Sequence, residues 1–172
     1  MAHELYTRTN QKLFFAGLSL ESWRKAEEGR AMNAQALVQS EREASLFHLY
    51  GALLGLCHEI AGYYRLPEAN SPRVELVLTP EVLAVAPSPE LAELVELAQQ
   101  SETWLAALLA AYRGLFQPPQ APKQAKVDPT LPLITAVSLE EEVAPLSRET
   151  LESWRQSLKS LALRFRETLS EC

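Results

Sequence analysis

The chain has little of what small domains with a recognisable chemistry are usually built around. Glycine is scarce, six in 172 residues, and the Leu, Ala, Glu and Gln that fill the sequence instead favour helices. The two cysteines, Cys57 inside an apolar run and Cys172 as the last residue, do not make a secreted disulfide framework and suit a reduced cytoplasm. Long hydrophobic runs are also missing. The longest uncharged apolar stretch, 44–57, has fourteen residues and is interrupted by His48, whereas a membrane span needs about 20. The opening MAHELYTRTNQK lacks the apolar core of a signal peptide. Basic residues are outnumbered, 16 against 22 acidic for a net charge of −6. That balance argues against general nucleic-acid binding, an affinity that comes largely from phosphate neutralisation by Lys and Arg. These absences predict a soluble cytoplasmic protein with neither a membrane nor nucleic acid as partner. At this length one core is expected, so 1–172 reads as a single domain.

What is present is helical periodicity. Leu5, Leu13, Phe14, Leu18, Leu20 and Trp23 mark a first helix over 4–28, closed by Glu27-Glu28-Gly29. A second, long helix spans about 31–64 and stops before Leu66-Pro67, because a residue preceding proline is pushed out of the α region. Residues 73–87 alternate like a strand at first but have no partner strand nearby, and are read as irregular or short helical structure. Ser88-Pro89-Glu90 opens a third helix with an N-cap, a proline at the first helical position and a carboxylate at the positive end of the dipole. Its expected face, Leu91, Leu94, Val95, Ala98, Leu105, Leu109, Tyr112 and Phe116, carries it unbroken to Gln117-Pro118-Pro119. Residues 118–132 hold five prolines and no apolar periodicity, a Pro-rich crossover. After an apolar patch at 133–137 and Glu140-Glu141-Glu142, Ser147 caps a fourth helix running to about Leu169. Leu151, Trp154, Leu158, Leu161, Ala162, Phe165 and Leu169 form its seam. The expected architecture is all-α: a four-helix bundle with the long second helix at its centre and the Pro-rich connection crossing between helices 3 and 4. The pentad Leu-Glu-Ser-Trp-Arg occurs at 20–24 and again at 151–155, with no flanking similarity to extend it into a repeat.

The second helix gathers two of the three histidines and the internal cysteine, so it is where a site would be sought. On a helical wheel Glu41, Ser45, His48, Ala52, Gly55, Glu59 and Gly62 share one stripe of small and polar residues. A metal centre on Glu41, His48 and Glu59 fails on distance, since they lie roughly 10 Å and 16 Å apart along the axis at 1.5 Å per residue. None of His3, His48 and His58 has a Glu three residues before it, as a di-iron bundle requires. Ser45 and His48 could meet at i,i+3, but no acidic residue stands where it would orient the histidine. Cys57 and His58 point about 100° apart, and Cys57 reads as a small core residue. Neither a cofactor nor a metal is expected. The glycines on the stripe suit close approach of a neighbouring helix, which would explain why a helix tolerates them at about 1 kcal/mol each. Arg155, Lys159 and Arg166 form a basic stripe on the fourth helix that could contact phosphate or an acidic partner, but the third helix presents Glu90, Glu93, Glu96 and Glu102, so charge complementarity within the chain or a solvated face is the economical reading.

ELYTRTNQK near the start, AMNAQAL and GALLGLCHEIAGYYRLP together resemble an uncharacterised family of small helical proteins from pseudomonads and related bacteria. That resemblance covers most of the chain and implies a cytoplasmic bacterial protein with no catalytic residues to carry over. Arg42 and His48 also stand at a spacing similar to the Arg-x(4–6)-His of HEPN ribonuclease domains. This second resemblance implies that the two would face RNA phosphate across a dimer, with His48 as acid/base. Against it, six residues on a regular helix separate two side chains by about 120°. The leading expectation is a non-enzymatic bundle acting through a protein partner or as a homodimer. An HEPN-like ribonuclease using Arg42 and His48, and small-molecule binding in a bundle cavity, are the alternatives.

Overall fold

The computed structural model describes residues 2–118 and 145–170, with side chains from Leu5 onward. The 118–132 crossover beyond Pro118, the apolar patch at 133–137, the acidic triplet at 140–142, the side chain of His3 and Cys172 lie outside the described residues. Within them the chain is all-helical, with helices α1 (Ala2–Glu28), α2 (Ala34–Tyr63), α3 (Pro80–Val85), α4 (Pro89–Gln99), α5 (Trp104–Gly114) and α6 (Arg148–Ser170). The ambiguous 73–87 region contains a 3₁₀ turn at Val74–Leu76 followed by α3, and a second 3₁₀ turn at Pro67–Asn70 follows α2. Val74 and Val77 are fully buried although Leu76 between them is exposed, so the strand-like alternation records burial every third residue of a tight turn.

The third expected helix is two helices. Its apolar face is continuous in sequence, but Thr103 interrupts it: its hydroxyl accepts from the Ala106 amide at 3.2 Å and donates to the carbonyls of Leu97 and Gln100. A side chain that caps a new helix while bonding the end of the old one offers the backbone a break that hydrophobic periodicity does not register. Phe116, placed by the wheel on the inner face, lies past the end of α5 and is 72% exposed. The starts of α4 and α6 follow their sequence signals, with Ser88 and Ser147 accepting from the amides of Leu91 and Thr150, and α3 starts in the same way, Thr79 accepting from the amide of Val82.

α1 and α2 pack along their whole length as an antiparallel pair, and α6 lies in the groove they leave. The direction is fixed by pairs: Glu27 of α1 meets Arg148, and Asn10 meets Arg166, so α6 runs antiparallel to α1 and parallel to α2. α4 in turn runs antiparallel to α6, through Glu93 to Arg164 and Glu90 to Thr168. The core joins Trp23 and Leu20 of α1, Leu49, Leu53, Leu56 and Ile60 of α2, Leu91 and Leu94 of α4, Leu105 and Leu108 of α5, and Leu151, Leu158 and Phe165 of α6. α2 is buried on most of its circumference because helices cover it from both sides. The two Leu-Glu-Ser-Trp-Arg pentads are used alike: both Leu and both Trp are buried, and both Arg pair with the Glu three residues earlier.

Candidate functional site

The polar stripe of α2 is the seat of α1. Gly55 lies so close to Thr9 that a Cβ there would sit 2.6 Å from the Thr9 hydroxyl and 3.2 Å from its Cα, and Gly51 leaves room for the methylenes of Lys12. Ala52 between them is fully buried. Ser45 is buried and donates its hydroxyl proton to the carbonyl of Glu41 at 2.7 Å, a bond that bends its oxygen back along its own helix rather than toward His48.

His48 sits at the outer edge of this seam, its ring edge-on to Phe15 and Phe47 at centroid distances of 5.4 and 5.3 Å. Its Nδ1 is buried with no hydrogen-bond partner. A proton on that nitrogen would be a buried donor without an acceptor, so the neutral Nε2–H tautomer is favoured. Desolvation first, then the positive charges of Lys12 and Arg8, push its pKa below the usual histidine value. Lys12 is itself nearly buried, with its ammonium 4.6 Å from the centre of the Phe47 ring, and desolvation followed by Arg8 lowers its pKa as well.

Arg42 has other neighbours. Its Nε donates to the carbonyl of Leu146 at 3.1 Å, its Nη1 to Gln39, and its guanidinium lies over the ring of Trp23. The structure thus gives Arg42 the task of tying α2 to the start of α6, while His48 faces the N-terminal half of α1. Cys57 is fully buried, and burial, with a smaller contribution from Glu75, pushes its thiol up to about 12. A thiol held protonated in this way is a poor nucleophile.

Glu59, at the far end of the stripe, is joined to Arg166 of α6 by two bonds of 2.9 and 2.8 Å. Arg166 also donates to Asn10 at 3.1 Å and stacks on Tyr6, 3.8 Å from the ring centre. Charge complementarity is therefore real but differently distributed from the sequence expectation. Arg166 pairs with α2, Arg155 pairs with Glu152 of its own helix and donates to the Leu13 carbonyl, and Arg164 reaches Glu93 of α4. The guanidinium of Arg164 holds the Glu93 carboxyl below its ordinary range.

Two polar networks had no signal in the sequence. Tyr50 donates to Glu75 at 2.7 Å, accepts from the Val74 amide and stacks on Tyr112 with ring centres 3.8 Å apart. Glu90, only 4% exposed, accepts from Tyr64 and Thr168, both at 2.9 Å. Both networks clamp loop or helix ends onto α2.

The surface between α1 and α6 is the most distinctive face of the molecule. Tyr6, Phe14 and Leu18 of α1 are 42%, 59% and 51% exposed, and Leu163 of α6 beside them is 49% exposed. They edge two shallow depressions that meet at Phe14 and Arg155, of about 400 and 320 Å³. A larger, mainly apolar cavity of about 570 Å³ opens at the end of the face, beside Tyr6 and Arg166.

Among the described residues no three His, Cys, Asp or Glu side chains come together as a metal site, and no helix is long and apolar enough to cross a membrane. No curated protein and no solved structure matches the chain. The family resemblance carried by the N-terminal and α2 motifs does hold over the full length: the model of a family of unknown function (DUF6586) matches residues 1–172, and the chain belongs to that family.

Proposed function

We propose that this is a non-enzymatic cytoplasmic protein that works by association, and that the α1/α6 face is where a second copy of the chain docks. We read the whole of 1–172 as one four-helix bundle in which α4 and α5 together form the third rod. The observation that carries the association reading is the row of four exposed large apolar side chains, Tyr6, Phe14, Leu18 and Leu163, on one face of two antiparallel helices. Monomeric surfaces rarely gather large contiguous apolar patches without a partner. The charges along the row are largely satisfied within the chain, Arg148 by Glu27, Arg155 by Glu152 and Arg166 by Glu59. Such a face asks for no net charge in its partner, which is what another copy of the same face supplies through an isologous two-fold contact. The surplus apolar surface of α2 that suggested association in the sequence is mostly consumed inside the fold, and the exposed apolar row lies on α1 and α6 instead.

Light scattering decides between a mass of 19.2 kDa and its double. The wild-type chain is expected at the dimer mass at micromolar concentration, and the double variant Phe14→Asp, Leu163→Asp at the monomer mass with unchanged helicity. A wild-type mass that stays at the monomer value over a wide concentration range would sink the reading. Incubation with mixed RNA tests the non-enzymatic half: cleavage by wild type that is lost in His48→Ala would replace it with the ribonuclease alternative.

A further inference from the structure

The cavity of about 570 Å³ beside Tyr6 and Arg166 lies in the size range of small-molecule sites, roughly 300–1,000 Å³. Its walls are Leu5, Leu169 and the rings of Tyr6 and Tyr63, and Gly62 lets Leu5 lie close against the backbone of α2, since a Cβ there would come within 3.1 Å of the Leu5 side chain. The polar edge is the Glu59–Arg166 pair, whose side chains are 8% and 17% exposed.

A guanidinium has five N–H donors. In Arg166 the Nε–H and one Nη2–H go to Glu59 and one Nη1–H goes to Asn10. Two donors are left without a described protein acceptor, on a group held rigid by Glu59 and by the Tyr6 ring. An apolar cavity with convergent donors at one edge is the usual construction of a site that orients a mostly apolar ligand by one acceptor group. Charge sets the nature of that acceptor. Glu59 already neutralises Arg166, so a carboxylate head would stand beside the Glu59 carboxylate with no spare positive charge to offset it, whereas a carbonyl oxygen would take the free N–H at no such cost.

We propose that this cavity binds an uncharged, mainly apolar small molecule carrying a carbonyl acceptor, with the chain between Leu5, Leu169 and the two tyrosines and the oxygen on Arg166.

The test is a titration followed by ¹⁵N–¹H correlation spectra, with 2-decanone as probe, decanoate as the charged analogue and decane as the headless one. Saturable shifts at the Gly62 amide and the Arg166 Nε–H are expected with the ketone, with binding about tenfold weaker for the other two. Leu169→Trp, which fills the cavity from the last turn of α6, is expected to abolish the shifts while leaving the spectrum folded. Ser170→Trp provides a second filling variant from an exposed position on the rim. Absence of saturable shifts with the ketone overturns the proposal, as does ketone binding that survives both fillings. Decanoate binding as tightly as the ketone overturns the uncharged head group. Each readout is independent of oligomer mass, and repeating the titration on Phe14→Asp, Leu163→Asp separates a failed ligand site from a failed dimer face.

Discussion

At the scale of single residues, His48 is the side chain whose surroundings were least legible. The sequence places it on a polar stripe and shows that no carboxylate stands one turn away. It cannot show that Phe15, from another helix, and Phe47 wall the ring, or that Lys12 and Arg8 supply the charge. The consequence is a pH dependence with a definite sign. With its folded pKa depressed, His48 stays neutral in the native chain where the unfolded chain, near the ordinary value of about 6.5, already takes up a proton. The unfolded state therefore binds more protons as pH falls, and stability present above about pH 6.5 is lost progressively until the folded pKa is passed. Urea midpoints of wild type and His48→Gln are expected to diverge in this sense between pH 7 and pH 5, wild type losing more. A ring titration of His48 by NMR at or above the ordinary value would refute the account.

At the scale of elements, the α1/α2 seam was legible because small residues at spacings of 3 and 4 have few purposes other than close approach. Gly55 shows what the spacing is for, since its missing Cβ admits the backbone of Thr9. Gly55→Ala gains helix propensity of about 1 kcal/mol but forces α1 outward, and overpacking of this kind costs about 1–3 kcal/mol. Gly114, at the end of α5, has nothing within 4 Å of a built Cβ. The prediction is a contrast within one chemical change: a lowered denaturation midpoint for Gly55→Ala and a raised one for Gly114→Ala, by about 0.5–1 kcal/mol. Equal effects at the two positions would show that the seam is not tightly packed there. The break between α4 and α5 was not legible for the converse reason. Apolar periodicity reports which residues face inward, and Leu94 of α4 and Leu105 of α5 do so on either side of the break. Only the hydroxyl of Thr103, one of many Ser and Thr in the chain, records the interruption.

At the scale of the whole molecule, the chain is held together by contacts far apart in sequence that no local pattern encodes. Arg166 is the clearest: it joins α6 to α2 through Glu59 and to α1 through Asn10 and Tyr6, three helices meeting on one guanidinium. The sequence assigned Arg166 to a basic stripe facing the third helix, because like-signed residues on a wheel show a face but not the element opposite. Glu59 is the more buried partner, so removing Arg166 alone strands a carboxylate with little access to water. Arg166→Met is expected to cost about 3 kcal/mol or more, the usual consequence of breaking a buried pair from one side. Glu59→Leu combined with Arg166→Met removes both charges and leaves apolar side chains of similar reach, so the double variant is expected to be more stable than the Arg166→Met single. A double-mutant cycle by urea denaturation measures this directly. If the two losses simply add, the pair is a solvated contact and the junction of α1, α2 and α6 rests on the apolar core alone. A large coupling instead makes this salt bridge the point at which the open end of the α1/α6 face is fixed, and with it the geometry of the cavity whose edge it forms.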